Sequence, residues 1–187
     1  MNICVFGSAR DTVPEVYIKQ TELLGRTMAA RSHGLVFGGG ATGMMGAVAR
    51  GVHAVGGRIV SVAPDFFRQP GVLVEYATEE IITPTMFRRK EVMVERSDAF
   101  VAAPGGIGTL DELFEVFTLL SLEQHQKPVA LYNIDGFFSG LLDFLSKMER
   151  EDFFLPGLMD QLGVFDQPGA LLDWLENRCG KNGSTVL

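Results

Sequence analysis

A short stretch with three glycines, a threonine and two carboxylates is the part of the sequence whose residue types most directly suggest chemistry. It reads PGGIGTLDE, from Pro104 to Glu112, and it separates the apolar runs AFVAA and LFEVFTLLSL. Glycines that open a helix let backbone N–H groups approach an anion, and the N-terminus of a helix favours negative charge. The hydroxyl of Thr109 adds a further donor. The stretch therefore predicts an anion site with carboxylates just beyond it.

A second glycine-rich stretch, VFGGGATGMMG over residues 36–46, also follows an apolar run and opens a helical pattern. Gly38, Gly40 and Gly43 match the GxGxxG pattern of dinucleotide-binding folds, and Asp65 follows where an acid could bind a ribose. An NAD site and glycines that only permit tight helix packing both stay open. Neither loop has the lysine of a nucleoside-triphosphate loop. Two such loops at neighbouring strand ends favour one phosphate held between them.

Two cations lie on the apolar side of the helical segment TPTMFRRKEVMVER, residues 83–96. At about 100° per residue, Arg89 and Lys90 fall on the same side as Met86, and Thr83 is placed to cap the helix. An unpaired buried charge is costly, so these cations need an anionic partner. The alternative is that both side chains extend to water.

Glu112 is the carboxylate best placed to face a cleft, because it lies at the edge of the apolar stripe of its helix. Asp111 and Glu115 lie on the far side, where the helix dipole alone explains acids in the first turns. Loop amides could thus hold a phosphate while Glu112, one turn deeper, faces another part of the ligand. Arg89 could neutralise the phosphate or keep Glu112 ionised.

The elements that must position these residues alternate between short apolar runs and longer amphipathic segments. Nearly continuous apolar runs suit strands buried on both faces, and the alternation predicts a parallel sheet. We expect one Rossmann-like α/β domain over residues 1–179, with about six or seven strands and helices on both faces, and a flexible tail over residues 180–187. Sites in such folds lie at the C-terminal ends of strands. The predicted strands are 2–6, 35–37, 58–63, 79–83, 99–103, 128–132 and 164–166; the predicted helices are 14–32, 43–55, 84–96, 109–124, 137–150 and 168–178; residues 64–78 are predicted to form a loop.

Composition restricts the classes of partner. The chain has 187 residues and a net charge of −7, so we expect no nucleic-acid partner and no membrane surface as partner. Its two cysteines, Cys4 and Cys179, form no CxxC pattern, and the histidines have no metal-ligand spacing, so we expect neither a disulfide framework nor a metal site. The N-terminal residues MNICVFGSAR lack the pattern of a signal peptide, which favours a cytoplasmic location.

Taken together, these motifs resemble the Lonely Guy family of phosphoribohydrolases, long described as possible lysine decarboxylases. The family motif PGGxGTxxE is complete here as PGGIGTLDE, and the Arg-Lys pair of the preceding helix is present in MFRRKEVM. The GGGxxGxMG loop is present as GGGATGMMG, and the first strand ends in GSA where the family commonly has GSS. The resemblance covers about residues 2 to 150, and the combination and order of the motifs make it specific.

The resemblance implies a homodimer that hydrolyses the N-glycosidic bond of cytokinin riboside 5′-monophosphates, a class of nucleoside 5′-monophosphate, with AMP as a weaker substrate and no cofactor. Arg89 and Glu112 would be the catalytic pair. Phe87 stands where the family often has histidine, which affects substrate choice more than the bond cleaved. The residues implied to bind substrate are Ser8, Gly40, Gly43, Met86, Lys90, Gly105, Gly106, Gly108 and Thr109.

Two other functions stay open at this point. The first is a non-catalytic carrier or sensor of a nucleotide-like cofactor such as the molybdenum cofactor, in which Arg89 and Glu112 would be dispensable. The second is an NAD(P)-dependent enzyme built on the GxGxxG loop. The homodimer has some support from paired phenylalanines that could be apolar surface or core: Phe66 and Phe67, Phe137 and Phe138, Phe153 and Phe154.

Overall fold

Seven parallel strands form a single sheet in the computed structural model, which describes residues 1–182. This confirms the predicted α/β fold class. The strands are β1 (Asn2–Phe6), β2 (Gly34–Phe37), β3 (Ile59–Pro64), β4 (Glu79–Thr83), β5 (Ala99–Ala102), β6 (Val129–Tyr132) and β7 (Leu162–Phe165). The helices are α1 (Glu15–Ala30), α2 (Gly43–His53), α3 (Met86–Glu95), α4 (Ile107–Ser121), α5 (Ser139–Arg150) and α6 (Pro168–Asn182).

The strand order, β4-β3-β2-β1-β5-β6-β7, reverses direction at β1. β1 pairs with β2 on one side and with β5 on the other, where Phe6 is in register with Ala102. Just beyond that pair, the backbone N–H of Ser8 donates to the carbonyl of Pro104 over 3.2 Å. Ligands in open parallel sheets bind outside the carboxyl ends of strands at such a reversal. The topology therefore places the loops after β1 and β5 side by side at the expected site.

Both faces of the sheet are covered, because successive residues of each strand point to opposite sides. In β1, Ile3 and Val5 pack into one core with residues of α1, α2 and α6. Cys4 and Phe6 pack into the other core with residues of α3, α4 and α5. All four side chains are at most 2% exposed, which is why the strand reads as a continuous apolar run.

Several helix boundaries differ from the predictions, and three of these differences have a clear local cause or bear on the predicted tail. The cap predicted at Thr83 is wrong: Thr83 ends β4, and the side chain of Thr85 accepts from the N–H of Arg88 instead. Helix α4 begins at Ile107, two residues before the predicted start, because Gly106 takes the cap position. Helix α6 continues to Asn182, so it includes three residues of the segment expected to be a tail. The other residues of that segment, 183–187, lie outside the described part.

The β3–β4 connection was predicted to be a plain loop, and the structure shows that it is docked. It contains a 3-10 turn over Asp65–Phe67 and then returns across the glycine-rich loop after β2. Leu73 forms an isolated antiparallel bridge with Gly40, and the N–H of Ala41 donates to the carbonyl of Val72 over 2.9 Å. These bonds hold the connection against the carboxyl end of β2. No helix in residues 1–182 is long and apolar enough to cross a membrane.

Candidate active site

A cleft of about 580 Å³ lies at the carboxyl ends of the central strands. Its walls come from the loops after β1 and β2, the β3–β4 connection, α3 and the first turns of α4. Its lining residues are Gly7, Ser8, Ala9, Arg10, Gly38, Gly40, Thr42, Met45, Phe67, Gly71, Val72, Leu73, Met86, Arg89, Gly106, Gly108, Thr109, Asp111 and Glu112.

Arg89 and Glu112 form an ion pair in the wall of this cleft. Nη1 of Arg89 donates to Oε1 of Glu112 over 2.7 Å, and the two side chains are only 9% and 11% exposed. Nε of Arg89 donates to the carbonyl of Val62 over 3.1 Å, which ties the guanidinium to β3. The cation that the sequence placed on the apolar side of α3 therefore has its anionic partner on α4, and does not extend to water.

Gly38 provides the space that the guanidinium occupies. A Cβ atom added at Gly38 would lie 1.9 Å from Nη2 of Arg89, far inside any contact distance. The residue directly after β2 must therefore be glycine if Arg89 is to reach Glu112 along this path. The requirement is steric rather than conformational, because the clash is with a side chain from another element.

Burial raises the pKa of Glu112 above the ordinary carboxyl value, and the neighbouring charge of Arg89 acts in the opposite direction. A carboxylate in this setting is a stronger base than an exposed one, and its side chain is only 11% exposed. It can therefore stabilise a developing positive charge or accept a proton from water.

The two glycine-rich loops differ in how their helix ends are used. At α2, the N–H of Met44 donates to the carbonyl of Ser8 over 2.8 Å, so the chain itself occupies this end. At α4, which begins after Gly106, the first N–H groups have no partner within the helix, and Gly108 and Thr109 line the cleft. Of these two helix ends, the N-terminus of α4 is the one suited to bind an anion from the cleft.

Comparison with known proteins gives the family. A family model described as "Possible lysine decarboxylase" matches residues 45–175. The probable cytokinin riboside 5′-monophosphate phosphoribohydrolase LOGL2 of Oryza sativa subsp. japonica is 36% identical over 174 residues, which are 93% of this chain and 71% of that protein. The cytokinin riboside 5′-monophosphate phosphoribohydrolase LOG3 of Arabidopsis thaliana is 38% identical over 82% of this chain and 72% of its own length. This chain belongs to the Lonely Guy family.

Solved structures with the same fold have more distant sequences. The molybdenum cofactor carrier protein of Chlamydomonas reinhardtii superimposes with a TM-score of 0.72 at 21% identity, over 96% of this chain and 98% of that one. DNA processing protein A of Helicobacter pylori superimposes with a TM-score of 0.60 at 16% identity, over 95% and 80% of the two chains. At such identities the match concerns the fold alone, and it shows that Lonely Guy proteins share their architecture with other proteins.

Most residues of the Lonely Guy motifs line the cleft. Besides Arg89 and Glu112, this holds for six residues that were predicted to bind substrate. They are Ser8, Gly40, Met86, Gly106, Gly108 and Thr109.

Gly43 and Gly105 do not line the cleft, and each has a structural role beside it. Gly43 has φ +59°, and an added Cβ would lie 2.5 Å from the carbonyl oxygen of Ser8, so glycine is required where α2 meets the loop after β1. An added Cβ at Gly105 would lie 2.1 Å from Oγ1 of Thr109. Gly105 thus leaves room for the threonine side chain.

Lys90 also lies outside the cleft lining, and it joins α3 to α4. Its ammonium is 3.1 Å from Oδ2 of Asp111 and also pairs with Glu115, while its side chain is 14% exposed. Burial acts to lower the pKa of Lys90, but the hydrogen bonds to Glu115 and Asp111 outweigh it and raise the pKa. Asp111 and Glu115, which the sequence predicts only to stabilise their own helix, therefore also hold a cation from the neighbouring helix.

Sequence reasoning missed two contributors to the cleft. Arg10 lies two residues after Ser8, outside the quoted motif, and the only available signal was its position just past a strand end. The apolar residues Phe67, Val72 and Leu73 of the β3–β4 connection cover one side. Within residues 1–182, no three His, Cys, Asp or Glu side chains come together closely enough to hold a metal ion.

Proposed function

We propose that this protein is an N-glycosidase that hydrolyses cytokinin riboside 5′-monophosphates, and AMP more slowly, to a free base and ribose 5-phosphate. Its relatives LOGL2 and LOG3 are named for this substrate class and are 36% and 38% identical to it. The observation that carries the proposal is the placement of Glu112 relative to the start of α4. Both line one cleft, and Glu112 is held by Arg89 at 2.7 Å.

The spacing along α4 suits a ribose 5-phosphate. Gly108 and Glu112 are four residues apart, so they lie about 6 Å apart along the helix axis and on the same face. A phosphate bound by the first N–H groups and the hydroxyl of Thr109 would sit at the positive end of the helix. The ribose would then extend toward Glu112, one turn further along. Lys90 and Gly43 support this arrangement from outside the cleft.

The reaction follows from that placement. As the bond from C1′ to the base nitrogen breaks, its electron pair goes to the base and positive charge develops on the ribose ring. The Glu112 carboxylate stabilises this charge and takes a proton from the attacking water, whose oxygen forms the new bond to C1′. A proton is returned to the departing base, so the overall change is the addition of one water across the bond. Arg89 keeps Glu112 charged and fixes its position.

The apolar side of the cleft would receive the base. Met86 and the docked β3–β4 connection offer side chains that contact a base by its faces and edges, with few hydrogen-bonding groups to read it. Contact of this kind accepts an enlarged apolar substituent on the base more readily than an added charge. Phe87 is 79% exposed, so it stands outside the cleft in a single chain.

Chromatography of released base tests the proposal. The protein is incubated with isopentenyladenosine 5′-monophosphate and with AMP, and Glu112→Gln is the matched variant, because it keeps the size of the side chain and removes its charge. We expect base release by the wild type, faster from the isopentenyl substrate, and at least about a hundredfold less from the variant. Full activity in Glu112→Gln would refute the mechanism. Substrate binding without any release would favour a carrier.

We further propose that the protein is a cytoplasmic homodimer whose interface adjoins the cleft. Phe87 on α3 and Ile107 at the start of α4 are 79% and 83% exposed, and both lie next to cleft residues. Of the paired phenylalanines, Phe138 is core at 2% exposure, whereas Phe153 is 70% exposed. The two thiols are unpaired, which suits a reducing compartment. Light scattering at micromolar concentration should give twice the chain mass; a monomer would refute the dimer.

A further inference from the structure

The proposed substrate carries a phosphate, and the cleft has few cations to meet it. Two of the described residues that line the cleft are positively charged, Arg10 and Arg89. A phosphate monoester carries about −1.5 to −2 charges at neutral pH. Asp111 and Glu112 add two carboxylates to the same lining, in a chain of net charge −7. A bound phosphate therefore needs a cation in addition to the backbone N–H groups of α4.

Arg89 is already committed to other partners. Its Nη1 donates to Glu112 over 2.7 Å, its Nε donates to the carbonyl of Val62 over 3.1 Å, and its Nη2 lies against Gly38. Turning the guanidinium toward a phosphate would leave Glu112 buried without its counter-charge, which costs several kcal/mol in proteins. The pair therefore stays together when substrate binds.

Lys90 is committed as well. Its ammonium pairs with both Asp111 and Glu115, and it lies outside the cleft lining. The residue that the family resemblance implied to bind substrate thus uses its charge to join two helices. Of the two cations predicted on α3, neither is available for a phosphate.

Arg10 remains, and its backbone is fixed beside the start of α4. Its N–H donates to Oγ of Ser8 over 3.0 Å, and the N–H of Ser8 donates to the carbonyl of Pro104, the residue before the PGG glycines. On the other side, Oγ1 of Thr42 donates to the carbonyl of Ala9 over 2.6 Å. The loop that carries Arg10 is therefore held between the two glycine-rich loops.

Within residues 1–182, the side chain of Arg10 has no competing partner. Among the described residues, none forms an ion pair or hydrogen bond with its guanidinium, and the residue is exposed at the cleft. A guanidinium presents paired donors that match two phosphate oxygens. An unpaired arginine at the mouth of an otherwise acidic cleft would also attract an anionic ligand from solution.

We propose that Arg10 binds the 5′-phosphate of the substrate and makes the enzyme prefer nucleotides to unphosphorylated nucleosides. The proposal rests on the proposed function, and it adds a residue that the recognised motifs do not contain. The phosphate is held from one side by the N–H groups of Gly108 and Thr109 and from the other by the Arg10 guanidinium. Because the contact is to the non-reacting end of the substrate, it acts on binding rather than on bond cleavage.

Ribose 5-phosphate is a suitable probe, because it has no base to release and leaves the Arg89–Glu112 pair intact. Calorimetric titration compares the wild type, Arg10→Gln, Arg10→Lys and Arg150→Gln. Arg150 is the exposed last residue of α5 and does not line the cleft, so its replacement makes the same change of net charge outside the cleft. We expect Arg10→Gln to weaken ribose 5-phosphate binding about tenfold, which corresponds to about 1.4 kcal/mol. Arg10→Lys should lose less affinity for ribose 5-phosphate, and Arg150→Gln should bind it as tightly as the wild type.

Kinetics provide the second measurement. Arg10→Gln should raise KM for AMP about tenfold with little change in kcat, and should flatten the dependence of KM on NaCl concentration. Equal ribose 5-phosphate affinity in Arg10→Gln and wild type would overturn the role of Arg10 even if base release is normal. Failure of the wild type to bind ribose 5-phosphate would overturn the phosphate site as well. If Arg10→Gln weakens ribose 5-phosphate binding as expected but the wild type releases base from no nucleotide, the proposed function is refuted and Arg10 remains a phosphate ligand.

Discussion

Replacing Arg89 by methionine removes the cation from a pair whose two side chains are 9% and 11% exposed. Glu112 would then be a buried carboxylate without a counter-charge, and the carbonyl of Val62 would lose the donor that lies 3.1 Å away. Removing one partner of a buried ion pair costs about 3–5 kcal/mol. A domain of this size loses about 2–4 °C of melting temperature per kcal/mol, so we expect Arg89→Met to melt about 6–20 °C below the wild type.

The double variant Arg89→Met/Glu112→Gln distinguishes a lost charge pair from a general packing defect. An amide of the same size needs no counter-charge, so the second substitution should recover part of the stability that the first removes. The free energies of unfolding of the four proteins, from urea titrations, form a double-mutant cycle. If the free energy of unfolding lost in the double variant equals the sum of the losses in the two single variants, the conclusion that Glu112 depends on Arg89 is refuted.

The pH dependence of the stability of Arg89→Met gives an independent check with a defined sign. Burial already raises the pKa of Glu112, and removing Arg89 removes an influence that lowers it, so the pKa rises further in Arg89→Met. A carboxyl group with a raised pKa in the folded state binds its proton more tightly there than in the unfolded chain. The stability that this group contributes is therefore fully present below its unfolded pKa and is lost as pH rises through its folded pKa. Arg89→Met should be least impaired in acid, and the double variant should lack this slope; a deficit independent of pH would contradict the assignment.

Three further predictions concern other positions. Gly38→Ala should stay folded by circular dichroism but lose about a hundredfold in kcat, since an added Cβ would lie 1.9 Å from Nη2 of Arg89 and must displace it. Unchanged kcat would contradict this. Lys90→Met should lose about 1–2 kcal/mol in urea titration, because its partners on α4 are partly exposed, with little change in KM for AMP. A large rise in KM would instead favour direct substrate contact. Burial raises the pKa of both thiols, so Ellman's reagent should reach Cys179 slowly and Cys4 only after unfolding; rapid reaction of two thiols would refute it.

The strands and the sheet could be predicted because burial on both faces leaves a local trace. Apart from Asn2, β1 and β5 are short runs of apolar residues whose side chains are buried on either side of the sheet. The all-parallel arrangement follows from helices that alternate with those runs. Helix ends were less predictable. Thr83 and Thr85 are both able to cap α3, and only the extent of β4 decides that Thr85 does so.

The sequence by itself determined that Arg89 needs an anionic partner, because an unpaired cation on the apolar side of a helix is costly. It left both Glu112 and a bound phosphate open as that partner. It did not determine what Lys90, Gly38 and Arg10 do. Lys90 has the same local pattern as Arg89, yet it pairs with Asp111 and Glu115 while Arg89 reaches into the cleft. These roles were decided by the tertiary structure, in which α3 packs on β3 and α4 packs on β1 and β5, because this packing sets the direction of each side chain. Partner choice depends on positions far apart in the chain, and local patterns record only that a partner is needed.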